Sequence, residues 1–294
     1  MPQLQFSRLN VISHRVIHAY VAHMIKRALL ICGLLFGLLP SAHAETSVAV
    51  PDRVLALSVL QGYRTQNGTH MAALRLQLKP GWKTYWRAPG EGGIPPQFDW
   101  SGSQNIKSVQ FHWPSPKVGY ANGLRTIGYT DEVIIPVEFS LRRKSGPASL
   151  NGRVDLGVCK EICVPLSLEF TAALPKGRIK PDPMIRAALK TLPLPAAKAG
   201  AKNVTCAIEP ISDGLRVTAT FTLPSTGGKE VTVIEAPDQS IWVSEATTKR
   251  VGNTLTVTSE MVPPSNAPFL LERSKIRITV IGARYAVDIM GCTG

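Results

Sequence analysis

The chain carries many short runs of alternating apolar residues, separated by turn residues, and this pattern restricts it to a small set of β folds. The first two runs are residues 54–60 and 70–78, and the Asn67-Gly68 dipeptide between them predicts a hairpin turn. Further strands are predicted at residues 106–113, 133–141, 148–158 and 166–173. Short strands with turn chemistry every 8–12 residues are typical of a β-sandwich.

One segment departs from this pattern. Residues 181–192 have helical character, with Ile185 and Leu189 on one face and prolines in the first turn. The composition of residues 194–202 is that of a linker, and from Val204 the strand pattern resumes. The sequence therefore predicts an all-β chain of two sandwich domains in tandem, with one short helix near the linker. The predicted boundaries are 1–44 for an N-terminal extension and signal peptide, 45–180, 181–202 and 203–294.

The N-terminal extension predicts export. A basic region at residues 24–27 precedes an apolar run at residues 28–39, and Ala42-His43-Ala44 is typical of a signal-peptide cleavage site. Met24 is the start that fits this pattern. The run is too short for a transmembrane helix, which needs about 20 residues. Cleavage after Ala44 leaves 250 residues with a formal charge of +9. Basic residues are scattered and not interleaved with aromatic residues, which argues against nucleic-acid binding.

Four cysteines follow the predicted cleavage site: Cys159, Cys163, Cys206 and Cys292. An even number in an exported chain favours disulfides, and three pairings are possible. A Cys206–Cys292 bond would close a loop of 87 residues and stabilise the fold by about 4.6 kcal/mol, against about 2 kcal/mol for the five-residue Cys159–Cys163 loop. We therefore predict a structural Cys206–Cys292 disulfide. For the short pair, a hairpin staple, a redox pair and a metal site remain open.

The other motifs are less specific. Only His70 and His112 follow residue 44, and neither lies at zinc-ligand spacing from the cysteines, although two thiolates could bind copper(I). The aromatic residues either pack in the sandwich core, the default for tryptophan, or form a platform under the cysteine loop. They are Trp82, Tyr85, Trp86, Trp100 and Trp113. No hydrolase triad or phosphate-binding loop stands out.

Three segments together resemble one family, the N-terminal periplasmic domain of the thiol:disulfide interchange protein DsbD, in the branch that includes ScsB. The segments are Gly81 to Gly90 with Gly93 to Pro96, Trp113 to Pro116 leading to Gly128-Tyr129, and Val158 to Pro165. The resemblance covers about residues 50–175, and the domain after residue 200 is similar to the second β domain of ScsB-like chains.

The resemblance implies an immunoglobulin-like fold and a periplasmic role in thiol–disulfide exchange, as a component of a protein-disulfide reductase. Cys163 would form mixed disulfides with partners, and Cys159 would resolve them. Tyr129 falls in a segment that supports the active loop. The partners implied are thioredoxin-like periplasmic proteins and a membrane electron-transfer protein, and no organic cofactor is expected.

The chain departs from the family pattern in two places. Better-known members shield the cysteines with a cap loop that bears acids and a phenylalanine, whereas residues 118–124 have neither, so Tyr120 is the candidate for a substitute lid. The sequence also carries no membrane domain and no thioredoxin-like domain, and we expect other chains to supply both. The alternative function is a non-catalytic module that binds a protein partner or copper(I) and whose disulfides are purely structural.

Overall fold

A computed structural model describes residues 54–121, 123–177, 180–265 and 269–294 of the 294-residue chain. The predicted extension and signal peptide, residues 1–44, lie outside the described residues. All described residues fall in one compact unit. Within these ranges no helix is long and apolar enough to cross a bilayer, and the longer of the two α-helices has seven residues. The described residues are mostly in strands, which confirms the predicted all-β class.

The first sandwich packs two antiparallel sheets against each other. Its strands are β1 (Leu55–Arg64), β2 (His70–Leu78), β3 (Lys83–Tyr85), β4 (Gln97–Asp99), β5 (Ile106–Phe111), β6 (Lys117–Ala121), β7 (Leu124–Thr130), β8 (Glu132–Leu141), β9 (Ala148–Cys159) and β10 (Cys163–Leu174). One sheet has the order β1-β2-β8-β5. The other, which we call the cysteine sheet, has the order β10-β9-β3-β7-β6, with β4 also paired to β9.

Alternation of side chains along these strands builds the core of the first sandwich. Leu74 and Leu76 of β2, Phe139 of β8, and Val154 and Val158 of β9 all point inward and are buried. The predicted hairpin between the first two runs is present, and Gly68 adopts a positive φ of 83° in its turn.

The second sandwich follows the same plan with nine strands. They are β11 (Leu194–Pro195), β12 (Lys202–Pro210), β13 (Leu215–Thr222), β14 (Val231–Glu235), β15 (Trp242–Val243), β16 (Thr247–Val251), β17 (Thr254–Val262), β18 (Arg277–Ile281) and β19 (Ala286–Met290). One sheet has the order β11-β19-β18-β14, and the other has the order β12-β13-β17-β15 with β16 also on β17. A separate apolar core that includes Phe221, Leu255 and Met261 lies between the sheets.

Two short helices join the sandwiches. Helix α1 (Pro183–Leu189) lies within the predicted helical segment, and the Asp182 carboxylate caps it by accepting from the backbone N–H groups of Met184 and Ile185. Helix α2 (Ala196–Ala199) and strand β11 occupy the stretch whose composition indicated a linker. They form because Leu194 pairs in parallel with Val287 of β19, a contact that composition does not encode.

The four tryptophans singled out from the sequence pack in the first sandwich, as the default expectation had it. Trp86 is fully buried, Trp113 is buried, and Trp82 and Trp100 pack against the same core. Tyr85 is also buried, but it lies on the outer face of the cysteine sheet. The Trp100 ring meets the rings of Phe139 and Phe170 edge-on, with centroids 5.2 Å apart in each case. Aromatic packing of this kind stabilises the sandwich interior.

The long-range disulfide provides a stability test. Cys206 and Cys292 are bonded in the second sandwich, with their Cα atoms 5.7 Å apart and 86 positions apart in sequence. We expect a Cys206→Ala/Cys292→Ala variant to lose about 4 kcal/mol of unfolding free energy, because the unfolded chain gains the entropy of an open loop. Urea denaturation measures this loss. The matched control, Cys159→Ala/Cys163→Ala, opens a much shorter loop and should lose about 2 kcal/mol. An equal loss in both variants would contradict the assignment.

Candidate functional site

A tight hairpin holds the short cysteine pair. Strand β9 ends at Cys159 and strand β10 begins at Cys163, and the two residues are direct cross-strand partners. The backbone N–H of Lys160 donates to the carbonyl of Ile162 across the connecting turn, at 3.1 Å. The two cysteines form a disulfide, with Cα atoms 4.1 Å apart. The turn therefore brings the two sulfur atoms together through backbone pairing.

The two cysteines of this disulfide differ in their access to solvent. Cys159 is 2% exposed and lies between β10 and β3, where it is the cross-strand partner of Lys83. Cys163 is exposed and lies on β10, the edge strand of the cysteine sheet. Ile162 beside it is 71% exposed. A partner thiol can therefore reach Cys163, whereas the fold shields Cys159.

Tyr85 of β3 places a hydroxyl group beside the exposed sulfur. Its oxygen lies 3.5 Å from Sγ of Cys163, which is within hydrogen-bond distance for sulfur. Tyr85 is 2% exposed, and burial raises the pKa of its phenol above the usual value, so the hydroxyl keeps its proton near neutral pH. It can then donate to a Cys163 thiolate. Sequence reasoning named Tyr85 only as an aromatic residue, and the pairing of β3 with β9 is what brings it here.

A glycine-rich loop at residues 89–96 covers this part of the cysteine sheet, and we call it the covering loop. Gly93 lies against the Tyr85 ring, where a Cβ atom would come within 2.7 Å of Tyr85 Cδ1 and 2.5 Å of Pro89 Cβ. Ile94 lies over Gly157 of β9, two residues before Cys159. The loop therefore packs on Tyr85 on one side and on the cysteine strand on the other.

The two tyrosines predicted to support the active loop lie on the opposite face of the cysteine sheet. Tyr129 pairs with Thr84 and points into the core, where its hydroxyl donates to the Pro114 carbonyl at 2.8 Å. Burial raises the pKa of Tyr129 well above its usual value. Tyr120 pairs with Arg125, four residues before Tyr129, so it shares that face and is 60% exposed. The structure brings neither tyrosine to the cysteines.

Charged groups flank the hairpin without forming an ion pair among the described residues. Lys160 and Glu161 are exposed in the turn, and the side chain of Lys160 lies against Gly81. The ammonium group of Lys83 is turned to the Thr126 hydroxyl, at 3.5 Å. Within the described ranges no three His, Cys, Asp or Glu side chains cluster as metal ligands do. The chemistry available here is that of a thiol pair.

The first sandwich is an immunoglobulin-like domain that carries the cysteine hairpin at the edge of one sheet. Residues 51–183 match the family described as thiol:disulfide interchange protein DsbD, N-terminal. The match covers the three sequence segments that resemble this family. It supports a role in thiol–disulfide interchange in general.

Comparison with solved structures extends the similarity of fold to both sandwiches. The crystal structure of the N-terminal periplasmic domain of ScsB from Proteus mirabilis matches with a TM-score of 0.60 and 22% identity, over 84% of this chain and 96% of that chain. The reduced form of the DsbD N-terminal domain from Neisseria meningitidis matches with a TM-score of 0.27 and 17% identity, over 46% of this chain and 96% of that chain. The search of curated proteins found no match.

The packing of the covering loop can be tested with a single methyl group. We expect Gly93→Ala to lower the unfolding free energy by about 1–3 kcal/mol, because the new Cβ overlaps Pro89 and the Tyr85 ring. Gly177→Ala is the matched control: a Cβ there meets nothing within 4 Å, and the change should stay within about 0.5 kcal/mol. Urea denaturation measures both variants. If Gly93→Ala were as stable as Gly177→Ala, the described packing on Tyr85 would be wrong.

Proposed function

We propose that the chain relays reducing equivalents by thiol–disulfide exchange through Cys159 and Cys163. The observation that carries this proposal is the difference between the two sulfurs, one exposed on an edge strand and one buried behind it. An exchange site needs one sulfur that a partner can reach and a second that can close on it. A staple has no need of such a difference.

The proposed reaction begins from the dithiol form. The Cys163 thiolate attacks one sulfur of an oxidised partner, so that a mixed disulfide forms and the partner's other sulfur leaves as a thiolate. Cys159, deprotonated, then attacks Sγ of Cys163. This step forms the Cys159–Cys163 bond and releases the partner's second thiolate. Two electrons pass to the partner, and two protons follow from the two thiols. The disulfide in the structure is the oxidised end of this cycle.

Recharging the pair requires a donor. In the reverse exchange a donor thiolate attacks Sγ of Cys163, which forms a mixed disulfide and releases Cys159 as a thiolate that takes up a proton. The donor's second thiolate then attacks the donor sulfur of that mixed disulfide, so the donor becomes a disulfide and Cys163 is released as a thiolate. We propose a membrane electron-transfer protein as this donor and thioredoxin-like periplasmic proteins as exchange partners, because residues 51–183 match a family of interchange domains. The cysteine pair itself carries the two electrons, so the relay needs no organic cofactor. We propose the periplasm as the location, on the basis of the predicted signal peptide.

Two neighbours of Cys163 fit this chemistry. The Tyr85 hydroxyl, 3.5 Å from Sγ, can donate a hydrogen bond to the thiolate and so favour the reactive form. Lys160 in the turn adds a positive charge, which also favours a thiolate, while Glu161 opposes it. Tyr129 supports the site indirectly in this proposal, because it anchors β7, the strand that pairs with β3. Tyr120, near the end of β6 on the opposite face of the sheet, has no role as a lid in this proposal.

Trapping the mixed disulfide tests the roles of the two sulfurs. We expect Cys159→Ser to accumulate a covalent adduct with an oxidised thioredoxin-like protein, because no resolving sulfur remains to release it. Non-reducing electrophoresis with mass spectrometry identifies the adduct and its bond at Cys163. The matched variant Cys163→Ser leaves only the buried sulfur and should form little adduct.

Two results together would reject the exchange function. One is that Cys159→Ser forms no adduct, and the other is that dithiol buffers cannot reduce the Cys159–Cys163 bond in the folded protein. They would favour the non-catalytic alternative, a module that binds a protein partner or copper(I) and whose disulfides are structural.

A further inference from the structure

The end of strand β3 connects the cysteine site to the second sandwich through three consecutive residues. Tyr85 contacts Sγ of Cys163 with its hydroxyl. Trp86, the next residue, is fully buried in the first core, and its backbone N–H donates to the Ile127 carbonyl at 3.0 Å. Arg87 then reaches across to the second sandwich. These three consecutive residues therefore form one continuous segment between the exposed sulfur and the second sandwich.

Arg87 is held by a bidentate ion pair. Its Nε and Nη2 atoms each donate to a different carboxylate oxygen of Glu235 on β14, both at 2.8 Å, and Nη2 also approaches the Thr279 hydroxyl at 3.3 Å. The Arg87 and Glu235 side chains are only 15% and 20% exposed. The guanidinium carbon lies 3.9 Å from the centroid of the Trp86 ring. Bidentate pairing and stacking on an aromatic ring fix both the distance and the orientation of the side chain.

The covering loop makes a second connection of the same kind. At Gly90 of this loop, a Cβ atom would lie 2.6 Å from the Arg125 carbonyl and 3.7 Å from Oε1 of Glu245 in the second sandwich. Arg125 and Glu245 form an ion pair at 3.3 Å. At its other end the loop packs on the Tyr85 ring through Gly93. Tyr85 is thus followed by Arg87, which pairs with Glu235, and is covered by a loop whose Gly92 N–H donates to the carbonyl of Arg125, the partner of Glu245.

We propose that Arg87 and Glu235 are positioning residues that hold the Tyr85 hydroxyl against Sγ of Cys163. This inference rests on the proposed exchange function and deepens it, because it makes the second sandwich part of the machinery that sets the reactivity of the exposed sulfur. A hydroxyl held at this distance stabilises the thiolate of Cys163, and a loosened hydroxyl stabilises it less.

Other charged groups near the sulfurs stay unchanged in the test. Lys160 and Glu161 lie in the turn, and Lys83 is the cross-strand partner of Cys159. None of the three contacts Arg87 or Glu235 among the described hydrogen bonds and ion pairs. Substitution of Glu235 also leaves the Arg87 charge unpaired. An unpaired positive charge favours the thiolate and lowers the midpoint of the Cys163 titration, whereas a loosened Tyr85 hydroxyl raises it, so an upward shift reports on Tyr85.

The experiment measures the alkylation rate of Cys163 against pH after reduction of its disulfide, with iodoacetamide as the probe and mass spectrometry to separate Cys163 from Cys159. We expect Tyr85→Phe to raise the pH midpoint of the Cys163 alkylation rate by about half a unit to one unit. This shift corresponds to the loss of one hydrogen bond to the thiolate. Glu235→Gln should move it in the same direction. The double variant should match Tyr85→Phe alone, because both substitutions remove the same interaction.

A matched control separates positioning from general stability. Glu230 forms a bidentate pair with Arg250 wholly within the second sandwich, at 2.6 and 2.8 Å, so Glu230→Gln removes an equivalent interaction away from Tyr85. The pH midpoint of Cys163 alkylation in Glu230→Gln should equal that of the wild type. Arg87→Lys is a second variant, which keeps the charge but lacks the planar fork, and it should shift the midpoint as Glu235→Gln does.

Two results would overturn the inference. The first is that Glu235→Gln and Arg87→Lys both fold and alkylate Cys163 with the same pH midpoint as the wild type. The other is a shift from Glu235→Gln that persists undiminished when Tyr85 is already phenylalanine. Both results are distinct from failure of the proposed function, because alkylation needs no protein partner. A Cys159→Ser variant that formed no mixed disulfide, together with a Cys159–Cys163 bond that dithiol buffers cannot reduce, would reject exchange and leave this comparison intact.

Discussion

The antiparallel pairing of β9 with β10 is the constraint on which the cysteine site depends. Side chains of directly paired residues lie on the same face of a sheet, so the pairing of Cys159 with Cys163 places both sulfurs on the outer face of the cysteine sheet. Because β10 is the edge strand and β9 is interior, the same pairing exposes one sulfur and buries the other. The difference in access follows from strand order alone.

The pairing of β9 with β3 adds the remaining features of the site. It places Lys83 beside Cys159, and the next outward-facing residue of β3 is Tyr85, whose hydroxyl meets Cys163. The covering loop begins four residues after β3. Its Gly93 allows it to pack closely on Tyr85, and the absence of a side chain at Gly157 of β9 leaves room for Ile94. The apolar residues Val231, Ile281 and Ala286 of the second sandwich join the core of the first, so the two sandwiches share a packed interface beside the Arg87–Glu235 ion pair.

Local sequence signals predicted the longer strands and the candidate cysteine hairpin. Alternating apolar runs predicted β1, β2, β5, β8, β9 and β10 of the first sandwich but missed β3, β4, β6 and β7. The spacing of the four cysteines indicated the long-range disulfide. The contact of Tyr85 with Cys163 could not be predicted in this way, because it depends on the register between strands whose residues are 78 positions apart. The same limit applies to Tyr129 and Tyr120, whose direction depends on which face of the sheet packs inward. Helix α2 and strand β11 form through a tertiary contact with β19, which a linker-like composition does not reveal.

The reduction potential of the Cys159–Cys163 disulfide in the folded protein tests the central claim most directly. Structural disulfides of exported proteins have potentials below about −300 mV, whereas catalytic pairs are more oxidising. Equilibration with defined glutathione or dithiothreitol buffers, followed by mass spectrometry of each pair, measures both disulfides in one experiment. The account predicts a potential above about −300 mV for Cys159–Cys163, with Cys206–Cys292 remaining oxidised under the same conditions. A Cys159–Cys163 potential below that value, no higher than that of the Cys206–Cys292 bond, would contradict the account.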